Sequence, residues 1–299
     1  MTNTHRTDLL KLEEVSRFEN LMIFAKTLVD GYYSGKHKSP DFGSSAEFAE
    51  YRDYLPGDDL NKIDWRIYGR SRKLYTRLYK EETDMVTYLL IDMSASMAFH
   101  ANKQQEKFKL AAKIAAALAY LMIKQGDKVS LVLFDEKVRH FSAPGGTQQH
   151  LFNLVNELEK TELNKGTKIR MAVSECMQLF KKRGRVILIS DFLGDQTEMM
   201  DSLSQFVHRK YDLLLMQILD EDERQLPYVD NARFVDLESG EEIQVEPSEI
   251  RKIYRSLMDE KVNFIADQAD RRRIEYKQLN ARHPYIDAIE AYLGFNGRT

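Results

Sequence analysis

Hydrophobic residues from position 84 onward fall into short apolar runs separated by amphipathic stretches. The apolar runs predict buried parallel strands at Met85–Asp92, Lys128–Phe134, Arg185–Ser190 and Asp212–Leu219. Between them, apolar residues recur at helical spacing and predict helices at Glu106–Lys124, Gln148–Leu158, Ile169–Phe180 and Met199–His208. Such alternation is typical of a doubly wound, mostly parallel α/β sheet of Rossmann-like type, with helices on both faces.

The remaining elements after residue 84 are shorter or stand near the end of the chain. In order, they are a strand at Val138–Phe141, a hairpin over Ala232–Val245 that turns at Ser239-Gly240, a helix from Ser248 to about Arg271, a strand near Ile274–Leu279 and a helix after Pro284. We expect the hairpin to extend the edge of the sheet.

The first 83 residues have a different character. A stripe of apolar residues predicts a helix from Leu9 to about Val29. Residues 41–83 are polar, turn-rich and aromatic, and they predict a turn at Pro56–Asp59 with short strands near Phe48–Tyr54 and Leu74–Tyr79. We therefore divide the chain into an N-terminal helix with a small β-rich appendage, residues 1–83, and an α/β domain, residues 84–299.

Oxygen-bearing side chains stand where two predicted strands end. Asp92 closes one strand and is followed by Ser94 and Ser96, Asp191 follows another strand, and Thr167 lies in a polar turn ahead of a helix. Ligand sites in such folds gather at the carboxyl ends of the strands, so we expect these five residues to converge. Two carboxylates and three hydroxyls suit Mg²⁺, or else Mn²⁺ or Ca²⁺, and no nearby His or Cys favours Zn²⁺.

A simpler interpretation remains open for the same residues. Asp and Ser at a strand-to-helix junction often serve only as helix N-caps, and Thr167 could cap the helix that begins at Ile169.

Two sets of motifs resemble known families. Asp92-x-Ser94-x-Ser96, Thr167 and Asp191 match the metal-ion-dependent adhesion site of von Willebrand factor A domains. The segments Tyr51–Asp59 and Ile63–Arg66 are similar to the signature of the bacterial domain-of-unknown-function family fifty-eight, whose members carry an A-type domain behind such a segment.

This resemblance implies a fold, a site and a partner. The fold would be of von Willebrand factor A type, with a Mg²⁺-type site formed by the five residues above. Ser94, Ser96 and Thr167 would approach the ion most directly, and Asp92 and Asp191 would ligate it or hold its waters. The family also implies a MoxR-type AAA+ ATPase as partner. The two proteins would act together on a protein client that the sequence does not identify.

Enzyme motifs find little support in the chain. A haloacid-dehalogenase-type phosphatase needs a second carboxylate two residues after its nucleophilic Asp, and Ser94 stands there. Gly35-Lys36 lacks the other residues of a phosphate-binding P-loop, and no G-x-G-x-x-G is present. We expect no catalytic activity, and a metal-dependent phosphohydrolase is the weakest alternative.

Composition limits the partners and the compartment. The net charge of −3 gives no overall attraction to nucleic acid or anionic lipid. Cys176 is the only cysteine and cannot form an internal disulfide, which favours a reducing compartment. Because we find no signal peptide and no apolar run of about 20 residues, we expect a cytoplasmic protein without membrane insertion.

The leading hypothesis is a metal-dependent protein–protein interaction module that assists a MoxR-type AAA+ ATPase in assembling or remodelling another complex. The alternative is a structural or regulatory module that recognises partners through residues 41–83. In that case the ion at the five-residue site would only hold the loops together. Charged pairs and the single tryptophan, Trp65, lie in that segment.

Overall fold

The computed structural model describes most of the chain. The described residues are 20–36, 48–53, 65–79, 85–99, 107–163, 169–226, 232–235, 242–279 and 284–296. They belong to two compact units, of which the smaller spans Lys38–Met85 and the larger combines Met1–His37 with Val86–Thr299.

Helices and strands follow the predicted order closely. The strands are β1 (Phe48–Asp53), β2 (Tyr75–Tyr79), β3 (Val86–Asp92), β4 (Lys128–Phe134), β5 (Val138–Phe141), β6 (Gly184–Ser190), β7 (Asp212–Gln217), β8 (Ala232–Val235), β9 (Glu242–Val245) and β10 (Glu275–Gln278). The helices are α1 (Leu21–Lys36), α2 (Trp65–Ser71), α3 (Lys107–Lys124), α4 (Gln148–Lys160), α5 (Ile169–Leu179), α6 (Gln196–His208), α7 (Glu221–Gln225), α8 (Pro247–Arg271) and α9 (Pro284–Asn296).

The larger unit is built on a six-stranded sheet in the order β10-β7-β6-β3-β4-β5. All neighbouring pairs are parallel except β4 and β5, which are antiparallel. Strands β3 and β6 are buried along their whole length, as their nearly uninterrupted apolar sequences require in a sheet that is covered on both faces. The predicted α/β class with a mostly parallel sheet is confirmed.

Helices cover both faces of this sheet, so it is doubly wound. Successive side chains of a strand point to opposite faces, and those of β3 divide accordingly. Leu89 and Ile91 join a hydrophobic core with α1, α3, α4 and α9. Tyr88 and Leu90 join a second core with α5, α6 and α8.

Helix α1 packs in the first of these cores. Phe24 and Leu28 are buried there, and the Asn20 side chain accepts a hydrogen bond of 3.0 Å from the amide of Ile23 at the helix start. The helix continues past the predicted end at Val29 to Lys36. From the sequence we grouped this helix with residues 41–83, whereas the structure assigns it to the larger unit, because its apolar stripe needs the α/β core to bury it. The predicted part of the helix before residue 20 lies outside the described residues.

The smaller unit contains the two predicted short strands. Strands β1 and β2 pair in antiparallel fashion, with Tyr51 opposite Arg77. Between them lies helix α2, which the turn-rich composition of the segment did not predict. The predicted turn at Pro56–Asp59 lies outside the described residues.

The predicted hairpin over Ala232–Val245 needs one correction. Strands β8 and β9 do pair with each other in antiparallel fashion, but they form a separate two-stranded sheet. The two edges of the main sheet are β10, which pairs with β7, and β5, which pairs with β4. The turn at Ser239-Gly240 lies outside the described residues.

No helix in the described parts of the chain has both the length and the apolarity needed to cross a bilayer.

The close contact of β3 with β6 gives a test of the sheet. A Cβ atom added at Gly184 would lie 2.0 Å from the carbonyl oxygen of Val86, which is fixed within the sheet. We expect Gly184→Ala to lower the free energy of unfolding by at least about 2 kcal/mol. Gly294→Ala is the matched control because its new Cβ meets nothing within 4 Å, and the added methyl should stabilise helix α9 by about 0.5–1 kcal/mol. Urea denaturation measures both, and equal stability of the two variants would contradict this packing.

Candidate metal site

Three polar residues meet where β3 and β6 end. Because these strands run parallel and Ile91 pairs with Ile189, Asp92 and Ser190 stand at the same level of the sheet. Asp191 follows directly. The structure therefore brings Asp92 and Asp191 to one edge, as the sequence predicted.

Hydrogen bonds from the loop after β3 and from the end of β6 fix the Asp92 carboxylate, which is only 2% exposed. Oδ1 accepts a bond of 2.9 Å from the amide of Ser94, and Oδ2 accepts one of 2.6 Å from the Ser190 hydroxyl. The Ser190 hydroxyl in turn accepts a bond of 3.1 Å from the amide of Phe192. We did not predict Ser190 as a site residue, although a hydroxyl at the end of an apolar strand is a usable signal.

The two predicted serines lie beside each other. The hydroxyl oxygens of Ser94 and Ser96 are 3.0 Å apart, with Ser94 fully buried and Ser96 half-buried. Ser94 precedes the 3₁₀ helix Ala95–Ala98 but makes no side-chain capping bond to it. The capping interpretation therefore does not account for the Ser94 hydroxyl. The predicted ligand Thr167 lies outside the described residues.

The loop that carries Asp191 is held tightly. The Gln217 side-chain amide, at the end of β7, donates a bond of 2.8 Å to the Asp191 carbonyl. The amide of Leu193 donates a bond of 3.3 Å to Asp191 Oδ1. Phe192 has a φ of 54°, a left-handed conformation that costs a non-glycine residue about 1 kcal/mol. Burial of the Phe192 side chain in the second core offsets that cost and keeps the loop in place.

Two further charged residues, which we did not predict from the sequence, complete the site. Lys107, the first residue of α3, donates a bond of 2.7 Å to Asp191 Oδ2 and one of 2.6 Å to Glu223 Oε1. Burial acts to lower the pKa of Lys107, but the charges of Asp191 and Glu223 outweigh it and the pKa is raised. Burial likewise raises the pKa of Glu223, against the opposing effect of Lys107. The ammonium is therefore charged at neutral pH.

Among the residues that the structure describes, none of opposite charge pairs directly with the Asp92 carboxylate. Burial, reinforced by the negative charge of Asp191, raises its pKa to about 6, although hydrogen bonds from Ser190 and Ser94 act to lower it. A buried carboxylate with a raised pKa is one that a cation would stabilise.

The donor set agrees with a hard divalent cation. Asp92, Ser94, Ser96 and Asp191 offer only oxygen atoms, the ligands that Mg²⁺, Mn²⁺ and Ca²⁺ prefer. Among the described residues, no three His, Cys, Asp or Glu side chains are grouped as metal ligands. A site here would therefore depend on the serine hydroxyls as well as on the carboxylates.

A third carboxylate, Asp135, follows the neighbouring strand β4 and is fully buried. It accepts bonds from the Lys137 amide at 3.1 Å and from Arg139 Nε at 2.6 Å. These contacts close the turn between β4 and β5, so Asp135 has a structural role.

The fold and the position of the site define an α/β domain with an oxygen-rich cluster at the carboxyl edge of its sheet. The chain belongs to the family described as Protein of unknown function DUF58, which matches residues 50–263. It is 26% identical to Uncharacterized protein Rv1480 of Mycobacterium tuberculosis over 248 residues, which cover 81% of this chain and 77% of the relative. Uncharacterized protein Mb1516 of Mycobacterium bovis shows the same identity and coverage.

Several solved structures are similar to this chain, and the first named below shares its fold. An aerotolerance-related membrane protein from Bacteroides fragilis is 14% identical with a TM-score of 0.50, covering 71% of this chain and 99% of that one. BatB from Bacteroides thetaiotaomicron is 12% identical with a TM-score of 0.48, covering 71% of this chain and 99% of that one. The SpRpn10 VWA domain is 12% identical with a TM-score of 0.36, covering 46% of this chain and 77% of that one.

The raised pKa of Asp92 predicts an unusual stability change. We expect Asp92→Asn to raise the free energy of unfolding by about 1–3 kcal/mol in EDTA at pH 7.5, because a folded-state pKa near 6 makes ionisation of this carboxyl destabilising. The matched control is Asp135→Asn, which removes a charge that Arg139 balances and should destabilise the fold by about 1 kcal/mol. Chemical denaturation measures both variants. Loss of stability in Asp92→Asn would show that its carboxylate is already compensated.

Proposed function

We propose that this protein is a non-enzymatic interaction module that binds a divalent cation at the carboxyl edge of its sheet and contacts a partner protein through that ion. We further propose that it works in the cytoplasm with a MoxR-type AAA+ ATPase, which supplies the energy to assemble or remodel another complex. The ATPase is inferred from the family signature in residues 51–66.

The observation that supports the proposal best is the arrangement of oxygen atoms around Asp92. Its carboxylate is buried, its pKa is raised to about 6, and the paired hydroxyls of Ser94 and Ser96 follow it. In the described parts of the chain, neither serine hydroxyl contacts a histidine or lysine that could act as its base, and the Asp92 carboxylate beside Ser94 is itself held by hydrogen bonds from Ser94 and Ser190. Activation of a nucleophile normally needs such a base. These features favour binding over catalysis.

Residues of this chain would hold the ion and leave one side of it available. Asp92, Ser94, Ser96 and Asp191 would contribute oxygens, and Thr167 joins them in the set that the motif implies. With so few anionic ligands, a bound divalent ion keeps positive charge and can accept an acidic side chain from a partner.

If the ion mediates recognition, a change that removes binding of Mg²⁺ or Mn²⁺ should also remove binding of the partner. We expect Asp191→Ala to lower metal affinity at least tenfold by isothermal titration calorimetry, and to abolish co-purification of an AAA+ ATPase from native lysate, as EDTA would. Asp195→Ala is the matched control, because this nearby carboxylate caps α6 through the Glu198 amide and lies outside the ligand set. If folded Asp191→Ala retained every partner, the ion would not mediate recognition.

One observation favours the alternative function. Residues Lys38–Met85 form a compact unit of their own, with exposed Tyr68 and Arg70 on helix α2. A self-contained unit with exposed aromatic and basic residues can recognise a partner without help from the metal site.

The alternative predicts the opposite pattern of binding. Arg70→Glu would reduce partner capture at least tenfold while Asp191→Ala captured the partner normally, because recognition would then depend on the charge of helix α2. Pull-down with both variants decides between the two functions. Circular dichroism confirms that each variant is folded.

A further inference from the structure

Lys107 brings a positive charge into the place where a cation is proposed to bind. Its side chain is 3% exposed, and its ammonium lies 2.7 Å from Asp191 Oδ2 and 2.6 Å from Glu223 Oε1. The ring of Phe99 lies 5.8 Å from the same nitrogen. The ammonium is thus enclosed by two carboxylates and an aromatic ring.

Glu223 is itself held in place. Its second oxygen, Oε2, accepts a bond of 3.0 Å from the Asp220 amide in the capping box of α7. Its carbonyl accepts a bond of 2.7 Å from the Tyr254 hydroxyl of α8. The contact with Lys107 therefore joins the metal-site loop to a fixed carboxylate on a different element.

The charges of the described residues in this region add up to a value that a divalent cation would neutralise. Asp92, Asp191 and Glu223 each carry one negative charge when ionised, and Lys107 carries one positive charge, so the formal sum is −2. Without Lys107 the sum would be −3. Two cations that share one carboxylate also repel each other strongly in a buried site.

We propose that Lys107 is an internal counter-ion that competes with the divalent cation for Asp191, and that Glu223 keeps the ammonium when the cation takes that oxygen. The inference rests on the proposed function, because it concerns the same site. Glu223 matters since removal of the ammonium from Asp191 would otherwise leave a buried charge without a partner.

With this competition in place, the ion would bind most tightly together with the partner. The ammonium stabilises Asp191 in the absence of a cation and weakens binding of the ion. An acidic side chain from the partner adds the negative charge that favours the ion, so each ligand strengthens binding of the other.

The test is calorimetric titration of the full chain with MgCl₂ and with MnCl₂. We expect Lys107→Gln to bind either ion at least tenfold more tightly than the unaltered protein. We expect Glu223→Gln to bind it at least threefold more weakly, because Lys107 would then be left with Asp191 alone. Lys124→Gln is the matched control, since this lysine stands at the far end of the same helix, pairs with Asp30 and should leave the affinity unchanged.

If Lys107 had a purely structural role, Lys107→Gln and Glu223→Gln would not shift the metal affinity in opposite directions. Equal or weaker binding by folded Lys107→Gln, while the unaltered protein binds the ion, would overturn this inference and leave the proposed function intact. If Lys107→Gln did not fold, unchanged or tighter binding by Glu223→Gln would overturn it. If neither the unaltered protein nor any variant bound Mg²⁺ or Mn²⁺, both the inference and the metal-dependent function would be overturned.

Discussion

Strands β3 and β6 lie side by side in parallel register, with Ile91 opposite Ile189. This pairing fixes the position of the polar groups that follow both strands. The bond of 2.6 Å between Ser190 and Asp92 joins the strands at their ends, and Asp191 leaves from the same level. Since side chains alternate between the faces of a sheet, a slip of one residue would turn Ser190 away from Asp92. The close approach of Gly184 to Val86 at the other end of the strands permits this register.

The charges at this edge are compensated unequally. Asp191 is paired directly with the buried ammonium of Lys107, which Glu223 also contacts, whereas Asp92 is held mainly by hydrogen bonds. This difference explains why burial and the neighbouring Asp191 raise the pKa of Asp92 to about 6. A buried pair of carboxylates with one internal cation keeps negative charge that the proposed second cation would neutralise, and the neighbouring hydroxyls of Ser94 and Ser96 suit a hard ion. The proposed metal binding and the role inferred for Lys107 both depend on this difference between Asp92 and Asp191 in how their charge is compensated.

Most elements of the larger unit could be predicted because their sequence patterns are strong. Strands β3 and β6 are apolar on both faces, and α4 carries buried residues at helical spacing. Such patterns are lacking in the elements that we did not predict and in the hairpin whose place in the fold we predicted wrongly. Helix α2 lies in a polar segment, α7 has only five residues, and the β8–β9 pair gives no sequence signal for which strand it would join.

For the site, the sequence by itself determined the residues that stand at the ends of the strands. Asp92, Ser94, Ser96 and Asp191 follow directly from local patterns, because the chain must leave a buried strand at its carboxyl end. Only the tertiary structure decided that Lys107 and Glu223 belong to the same cluster. They lie 116 positions apart in the sequence and have no shared motif. Their contact depends on how α3 and α7 pack around the sheet, a long-range arrangement that local periodicity does not encode.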